Sequence, residues 1–149
     1  MNNYDQAVKD LAPCGNDCSR CVYYEKSKVV LLSKELSENL INFEKMAEKT
    51  RDFMPAFNYY EQFSAILKHF SSGNCSGCRY SDKPKCQCSI NTCHKNENVN
   101  FCFECSKYPC SPTTYNEELT KTWKENNDDM KKIGAYNFYL TQKEEPRYK

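Results

Sequence analysis

The sequence predicts a mainly α, cysteine-rich domain. A helical hairpin and a C-terminal helix are expected around an irregular, zinc-ribbon-like metal-knuckle module, with at most short β-hairpins (a small α+β version of the same plan). Two observations predict it. Apolar residues recur at helical spacing over 26–72 and again over 114–141, and eight of the eleven cysteines fall between these blocks, from Asn74 to Pro112. Besides Tyr80 and Tyr108, that stretch has only Ile90, Val99, Phe101 and Phe103 as large apolar residues. So few cannot offset roughly 1–2 kcal/mol of backbone entropy for each ordered residue. A thiolate-bound metal can, since a structural zinc contributes roughly 10–16 kcal/mol in small zinc-binding peptides.

A length of 149 residues fits one domain over 1–149. Lys and Arg number 21 against 20 Asp and Glu, so no overall field draws the chain to nucleic acid or anionic membranes. The N-terminus is polar and lacks a basic-then-apolar signal pattern. No run approaches the ~18 consecutive apolar residues of a membrane span. These features predict a soluble, cytoplasmic protein with no membrane role. In a reducing compartment eleven cysteines point to metal or redox chemistry, and a disulfide framework would leave one thiol unpaired.

Residues 1–11 read as a short helical turn or a loose terminus, stopped by Pro13. The segment 12–22 holds Cys14, Cys18 and Cys21. Gly15 supplies the positive φ that curls backbone around a metal, and Asp17 supplies a turn hydrogen bond. From Lys26 to Arg51 the pattern is one helix, with Val29, Leu32, Leu36, Leu40, Phe43, Ala47 and Met54 as its apolar stripe. Pro55 interrupts. A second helix over Ala56–Phe70 turns Phe57, Tyr60, Phe63, Ile66, Leu67 and Phe70 inward, so the hairpin of 26–72 should pack stripe against stripe. Gly73 is expected as its left-handed cap and His69 as a surface residue of the last turn. Thr114 should cap a third helix, Asn116 to Leu140, burying Leu119, Trp123, Met130, Ile133 and Leu140. Gly134 weakens that helix locally, and 143–149 should fray.

The chemistry lies in the cysteine spacing. Zinc suits tetrahedral thiolate cages assembled from C-x2-C knuckles, and the chain has three, Cys18/Cys21, Cys75/Cys78 and Cys102/Cys105. The last two stand slightly farther apart than the paired knuckles of a zinc ribbon. Candidate metal ligands are Cys14, Cys18, Cys21, Cys75, Cys78, Cys86, Cys88, Cys93, His94, Cys102, Cys105 and Cys110. Those twelve suffice for three zinc sites, or for two with spare thiols. One partition joins Cys14, Cys18, Cys21 and Cys110, then the two ribbon knuckles, then Cys86, Cys88, Cys93 and His94. Cys86 is the first candidate for a spare. His94 is either a ligand or an exposed loop residue.

An iron–sulfur cluster is the competing cofactor. Cys14-x3-Cys18-x2-Cys21 has the spacing of the radical S-adenosylmethionine motif, yet the chain is too short for the partial barrel of that chemistry and Arg20 stands where an aromatic is usual. A non-radical cluster stays open. No catalytic residue stands out. There is no H-E-x-x-H, Walker loop or dinucleotide fingerprint, and His94 is followed by Lys95, Asn96 and Glu97 rather than by the deaminase x-Glu. Arg79, Lys83, Lys85, Lys95 and Lys107 with Tyr80, Phe101, Phe103 and Tyr108 could make a nucleic-acid face, but Asp82, Glu97 and Glu104 are interleaved and nucleic acid is not favoured. The leading expectation is a zinc-binding module that presents a rigid surface to a protein partner. An iron–sulfur or open zinc–thiolate enzyme or redox protein, and a nucleic-acid-binding ribbon, are the alternatives.

The opening Leu11-Ala-Pro-Cys14-Gly-Asn-Asp-Cys18-Ser-Arg-Cys21 resembles the start of an uncharacterised bacterial and archaeal family, domain of unknown function 3795, whose members typically begin CGxDCxxC. The resemblance continues at Cys75-Ser-Gly-Cys78, Cys88-Ser-Ile-Asn-Thr-Cys93 and Cys102-Phe-Glu-Cys105-Ser-Lys-Tyr-Pro-Cys110, and in the later Met130-Lys-Lys-Ile-Gly-Ala-Tyr-Asn-Phe. Asn16 departs from the leucine common after that glycine, and Cys86-Gln-Cys88 is an unusually close pair. The resemblance implies a metal-binding protein, usually assumed to hold zinc, and carries no established activity, substrate or catalytic residue.

Overall fold

Asn2 opens the chain's first helix. Its side chain accepts the Asp5 amide at 2.8 Å, and α1 then runs Asn3–Asp10. The computed structural model describes residues 2–81, 85–86, 88–111 and 114–148; Asp82, Lys83 and Pro112, named above, lie outside them. The chain is mainly helical and divides into two compact units. One joins Met1–Cys21 to Cys75–Lys149 and the other is Val22–Asn74. All eleven cysteines belong to the first.

In the cysteine-bearing unit, α1 is a full helix because Ala7 and Leu11 are buried with Phe101, Met130, Ala135, Phe138 and Tyr139. Arg79 finishes it. Its Nε donates to the carbonyls of Val8 (2.8 Å) and Leu11 (3.2 Å), while the guanidinium lies 4.9 Å from the Phe101 ring centroid. A cation there meets the carbonyls that the last helical turn leaves unpaired. Within the cysteine stretch, expected to be irregular, α5 forms over Ile90–Asn96. Among the described residues the extended pairing is an isolated antiparallel bridge, Leu11 to Asp17.

The predicted third helix is two. Asn116, not Thr114, caps α6 (Glu117–Ile133) by accepting the Leu119 amide at 2.8 Å; the Thr114 hydroxyl instead accepts the Ser89 amide. At Gly134 the backbone takes φ 86° and stops α6, and α7 (Ala135–Glu144) follows and packs on α1 as well as α6. Trp123 and Met130 are buried as the periodicity requires. Leu140 remains exposed because the break resets the helical phase on which the stripe was drawn, and Leu119 and Ile133 are exposed in the first and last turns of α6. The described C-terminal residues are tied to the N-terminal loop. Arg20 donates to the carbonyls of Gln142 and Glu145, and Arg147 Nε donates to the Asp17 carbonyl at 3.1 Å.

In the second unit, Ser27 caps α2 (Lys28–Asn39) through the Val30 amide. The single helix predicted over 26–51 is interrupted where Asn42 takes φ 64°, and α3 resumes at Glu44–Thr50. A 3-10 turn over Pro55–Tyr59 leads into α4 (Tyr60–Ser71). The start of α2 meets the end of α4, since Val30 lies against Gly73, so the helices are antiparallel. They do not pack stripe against stripe. Val30, Ser33 and Leu67 are buried, whereas Leu32, Leu36, Phe63 and Ile66 are exposed. Small residues let the backbones approach, which shifts the contact row off the apolar stripe. Gly73 serves that approach and is no left-handed cap: a Cβ there would lie 2.4 Å from Val30 Cγ2, and Ser72 ends the helix at φ −80°. His69 sits on the surface, edge-on to Tyr23. Among the described residues no helix is long and apolar enough to cross a membrane.

Candidate metal centre

The loop over Ala12–Cys18 is built from local hydrogen bonds. Ala12 and Asn16 pair through backbone at 2.8 Å, and Gly15, at φ 88°, donates to the Ala12 carbonyl. A Cβ on Gly15 would fall 2.7 Å from Asn126 Cβ, so the loop needs glycine for both conformation and space. Asp17 is buried and accepts from the Ser19 amide (3.0 Å), the Ser19 hydroxyl (2.6 Å) and Arg20 Nε (2.6 Å). That is the turn-holding role read from sequence. It starts a 3-10 turn, Cys18–Arg20, closed by the Cys21 amide on the Cys18 carbonyl.

Two links join this loop to the Cys102 segment, and a third joins α5 to the Cys78 segment. The Cys102 amide donates to the Pro13 carbonyl at 3.0 Å. Asn127, fully buried on α6, donates to the Cys14 carbonyl (3.2 Å) and accepts the Phe103 amide (3.0 Å). Asn91 of α5 donates to the carbonyls of Cys78 and Ser81. Sequence reading singled out neither asparagine. Asn127 was nonetheless marked: it stands four residues from Trp123 and three from Met130, on the buried face of α6.

The packing gathers the thiols. Cys14 and Cys78 are buried in one cluster with Ala12, Ile90 and Trp123, and Cys18, Cys88, Cys102, Tyr108 and Tyr115 pack against it. Cys18, Cys86 and Cys88 are the neighbours that act most strongly on the Cys78 thiol. Those three sulfurs drive the pKa of Cys78 upward. Its hydrogen bonding in turn lowers Cys18, Cys86 to about 7 and Cys88 to about 5. Arg147 adds positive charge beside Cys18 and Cys86. The Tyr115 hydroxyl donates to Cys88 Sγ at 3.8 Å and also reaches Cys14, whose thiol is pushed up to about 11 by burial.

Cys93, Cys102, Cys105 and Cys110 form a second neighbourhood and act on one another electrostatically. Cys93 and Cys110 are exposed. Burial pushes Cys102 up to about 12, opposed by the indole N–H of Trp123, which is buried and makes no fully formed hydrogen bond. In two of the three C-x2-C knuckles a sulfur accepts an amide two residues on, Gly77 to Cys75 and Lys107 to Cys105, each at 3.4 Å. Such amides favour the thiolate, the form a metal binds. His94 is not an exposed loop residue. It is buried in α5, with Nδ1 at 3.2 Å from the Val99 carbonyl and Nε2 lacking a partner, and Arg79 and Lys95 are the charges that act on it. This grouping differs from the partition by spacing, since Cys78 meets Cys86 and Cys88 while Cys110 lies with Cys93 and Cys105.

Among the described residues no three His, Cys, Asp or Glu side chains stand in ready metal-holding geometry. The donor chemistry around Cys78 nevertheless fits a metal. Sulfurs about 2.3 Å from a tetrahedral zinc are about 3.8 Å from each other, a separation that hydrogen-bonded thiols also adopt. Of the residues grouped as a nucleic-acid face, Arg79 caps α1, Phe101 is buried and Lys107 pairs with Glu97 at 2.5 Å.

The family model for Protein of unknown function (DUF3795) matches residues 10–115. The chain belongs to this family. In this DUF3795 protein the matched span covers all eleven cysteines and ends at Tyr115, beside Cys88. No curated protein and no solved structure matches it.

Proposed function

We propose that this DUF3795 protein binds zinc at cysteine-ligated sites that order its irregular module, and that the ordered module presents a surface to a protein partner. One observation carries the reading: Cys18 and Cys88 pack against the apolar cluster that buries Cys78, and exposed Cys86 acts on Cys78 together with them. Thiolates held among apolar groups are costly without a counter-charge, and a borderline-soft dication meets that need. Cys18, Cys78, Cys86 and Cys88 would hold one zinc, with Arg147 and the Tyr115 hydroxyl beside them. Cys93, Cys102, Cys105 and Cys110 would hold a second. Cys14, Cys21, Cys75 and His94 stand outside both sets in this proposal. Zinc would supply folding energy, cross-linking loops whose apolar content is too small to order them. The role is structural, in keeping with a cytoplasmic, reducing location.

Zinc content by elemental analysis tests this in the wild-type protein, Cys78→Ser and Cys105→Ser. Two zinc per chain are expected, with each variant losing one. Unchanged zinc in both variants overturns the ligand assignment. Iron with sulfide and a brown solution replaces zinc with an iron–sulfur centre and makes redox chemistry the better reading.

A further inference from the structure

The helical unit 22–74 has an uncovered side. On α2 the row Leu32–Leu36 lies about a third of a turn from the contact row of Val30, Ser33 and Ser37. On antiparallel α4, Phe63 and Ile66 lie about a quarter-turn from Tyr60, Leu67 and Ser71, toward the same side of the hairpin. Leu32 and Ile66 are 52% and 55% exposed, and Leu36 and Phe63 are each 43% exposed. The opposite side is a polar groove that includes Ser37, Ser64, Lys68 and Ser71. A hairpin with one polar and one apolar side is half of a four-helix bundle.

We infer that this side binds a second copy of the chain, two hairpins closing into a four-helix bundle about a two-fold axis beside Leu32. Charge supports a self-pairing. The unit carries seven Lys/Arg and seven Asp/Glu, so two copies do not repel. The apolar side itself holds no charged residue, and its outer rim on α2 carries exposed Lys28 and Glu35, one on each side of Leu32. When α2 of one copy lies antiparallel on α2 of the other, Lys28 faces Glu35 of the second copy, and the symmetry repeats the contact. Area supports it too. Two 12-residue helices side by side make a face about 18 by 20 Å, which buries on the order of 500–600 Å² per copy, enough for a weak specific dimer. The inference goes beyond the proposed function, since this face belongs to the helical unit and not to the cysteine module. It rests on the helical unit, so it stands or falls apart from metal content.

The test is sedimentation equilibrium of the metal-loaded full chain in reductant, over roughly 5–200 µM. A dimer of twice 17.5 kDa is expected, with micromolar dissociation. Leu32→Glu should remain monomeric throughout, with wild-type helicity and metal content. Lys28→Glu and Glu35→Lys should each weaken association about tenfold, and the doubly reversed protein should recover it. That recovery cannot come from misfolding. A wild-type monomer at the highest concentration leaves the face to some other protein and overturns the inference. So does a dimer that Leu32→Glu preserves, or two charge reversals that fail to compensate.

Discussion

Replacing Asn127 with alanine probes how the cysteine segments are held together. Its amide nitrogen is 3.2 Å from the Cys14 carbonyl and its oxygen is 3.0 Å from the Phe103 amide, so one side chain clamps the loop before Cys18 to the knuckle of Cys102 and Cys105. Its third contact, to the Trp123 carbonyl at 2.9 Å, matters less because that carbonyl keeps its helical backbone bond. Asn127→Ala therefore strands one acceptor and one donor out of water. At about 1–2 kcal/mol for each unsatisfied group the loss should be about 3 kcal/mol. Trp123, the single tryptophan, lies one helical turn away and reports the transition by fluorescence in a urea titration at fixed free zinc. The midpoint should fall with the slope unchanged. A loss below about 1 kcal/mol would refute the clamp and mean that packing alone joins the segments.

Gly73→Ala drives a Cβ into Val30 and should cost the protein about 1–3 kcal/mol. Val30→Ala should relieve most of that penalty in the double variant, and additive losses in urea unfolding would count against the contact. Arg147→Ala removes a cation that acts on Cys18 and Cys86, and zinc release to a chromogenic chelator should speed up about fivefold, roughly 1 kcal/mol, with Arg147→Lys close to wild type. Equal rates in all three proteins would reduce Arg147 to a tail strap. Chelation of the bound metal should abolish amide exchange protection in α5 and around Cys102 while α2 and α4 stay protected, since those helices form their own compact unit. Simultaneous loss in both units would show that they unfold together.

The helical content was legible because its carriers are local. Proline, glycine and apolar periodicity placed the blocks at 26–72 and 114–141, and the turn roles of Gly15 and Asp17 followed from residue chemistry. Errors arose where tertiary packing chose among local options. The stripe of Leu32, Leu36, Phe63 and Ile66 reads as core by period alone, but Val30, Ser33 and Gly73 allow closer approach along a neighbouring row. Gly134 reads as a weak point, and only its positive φ makes it a break. The C-terminus reads as loose because the carbonyls that Arg20 binds carry no side-chain signal. The cysteine spacings marked the region and its twelve candidate ligands, yet spacing could not show which sulfurs meet. That depends on α5, which Asn91 and Ile90 hold in place and which sends Cys93 outward and His94 inward.

The central proposal is that bound zinc completes the order of the cysteine segments beyond what the apolar cluster of Cys78, Ile90 and Trp123 provides. Its most direct test is the metal content and visible spectrum of protein purified without oxygen. The account requires a colourless solution with two zinc per chain, and α5 and the Cys102–Cys105 turn losing order once the zinc is removed. A metal-free protein with those segments already protected from exchange would contradict it.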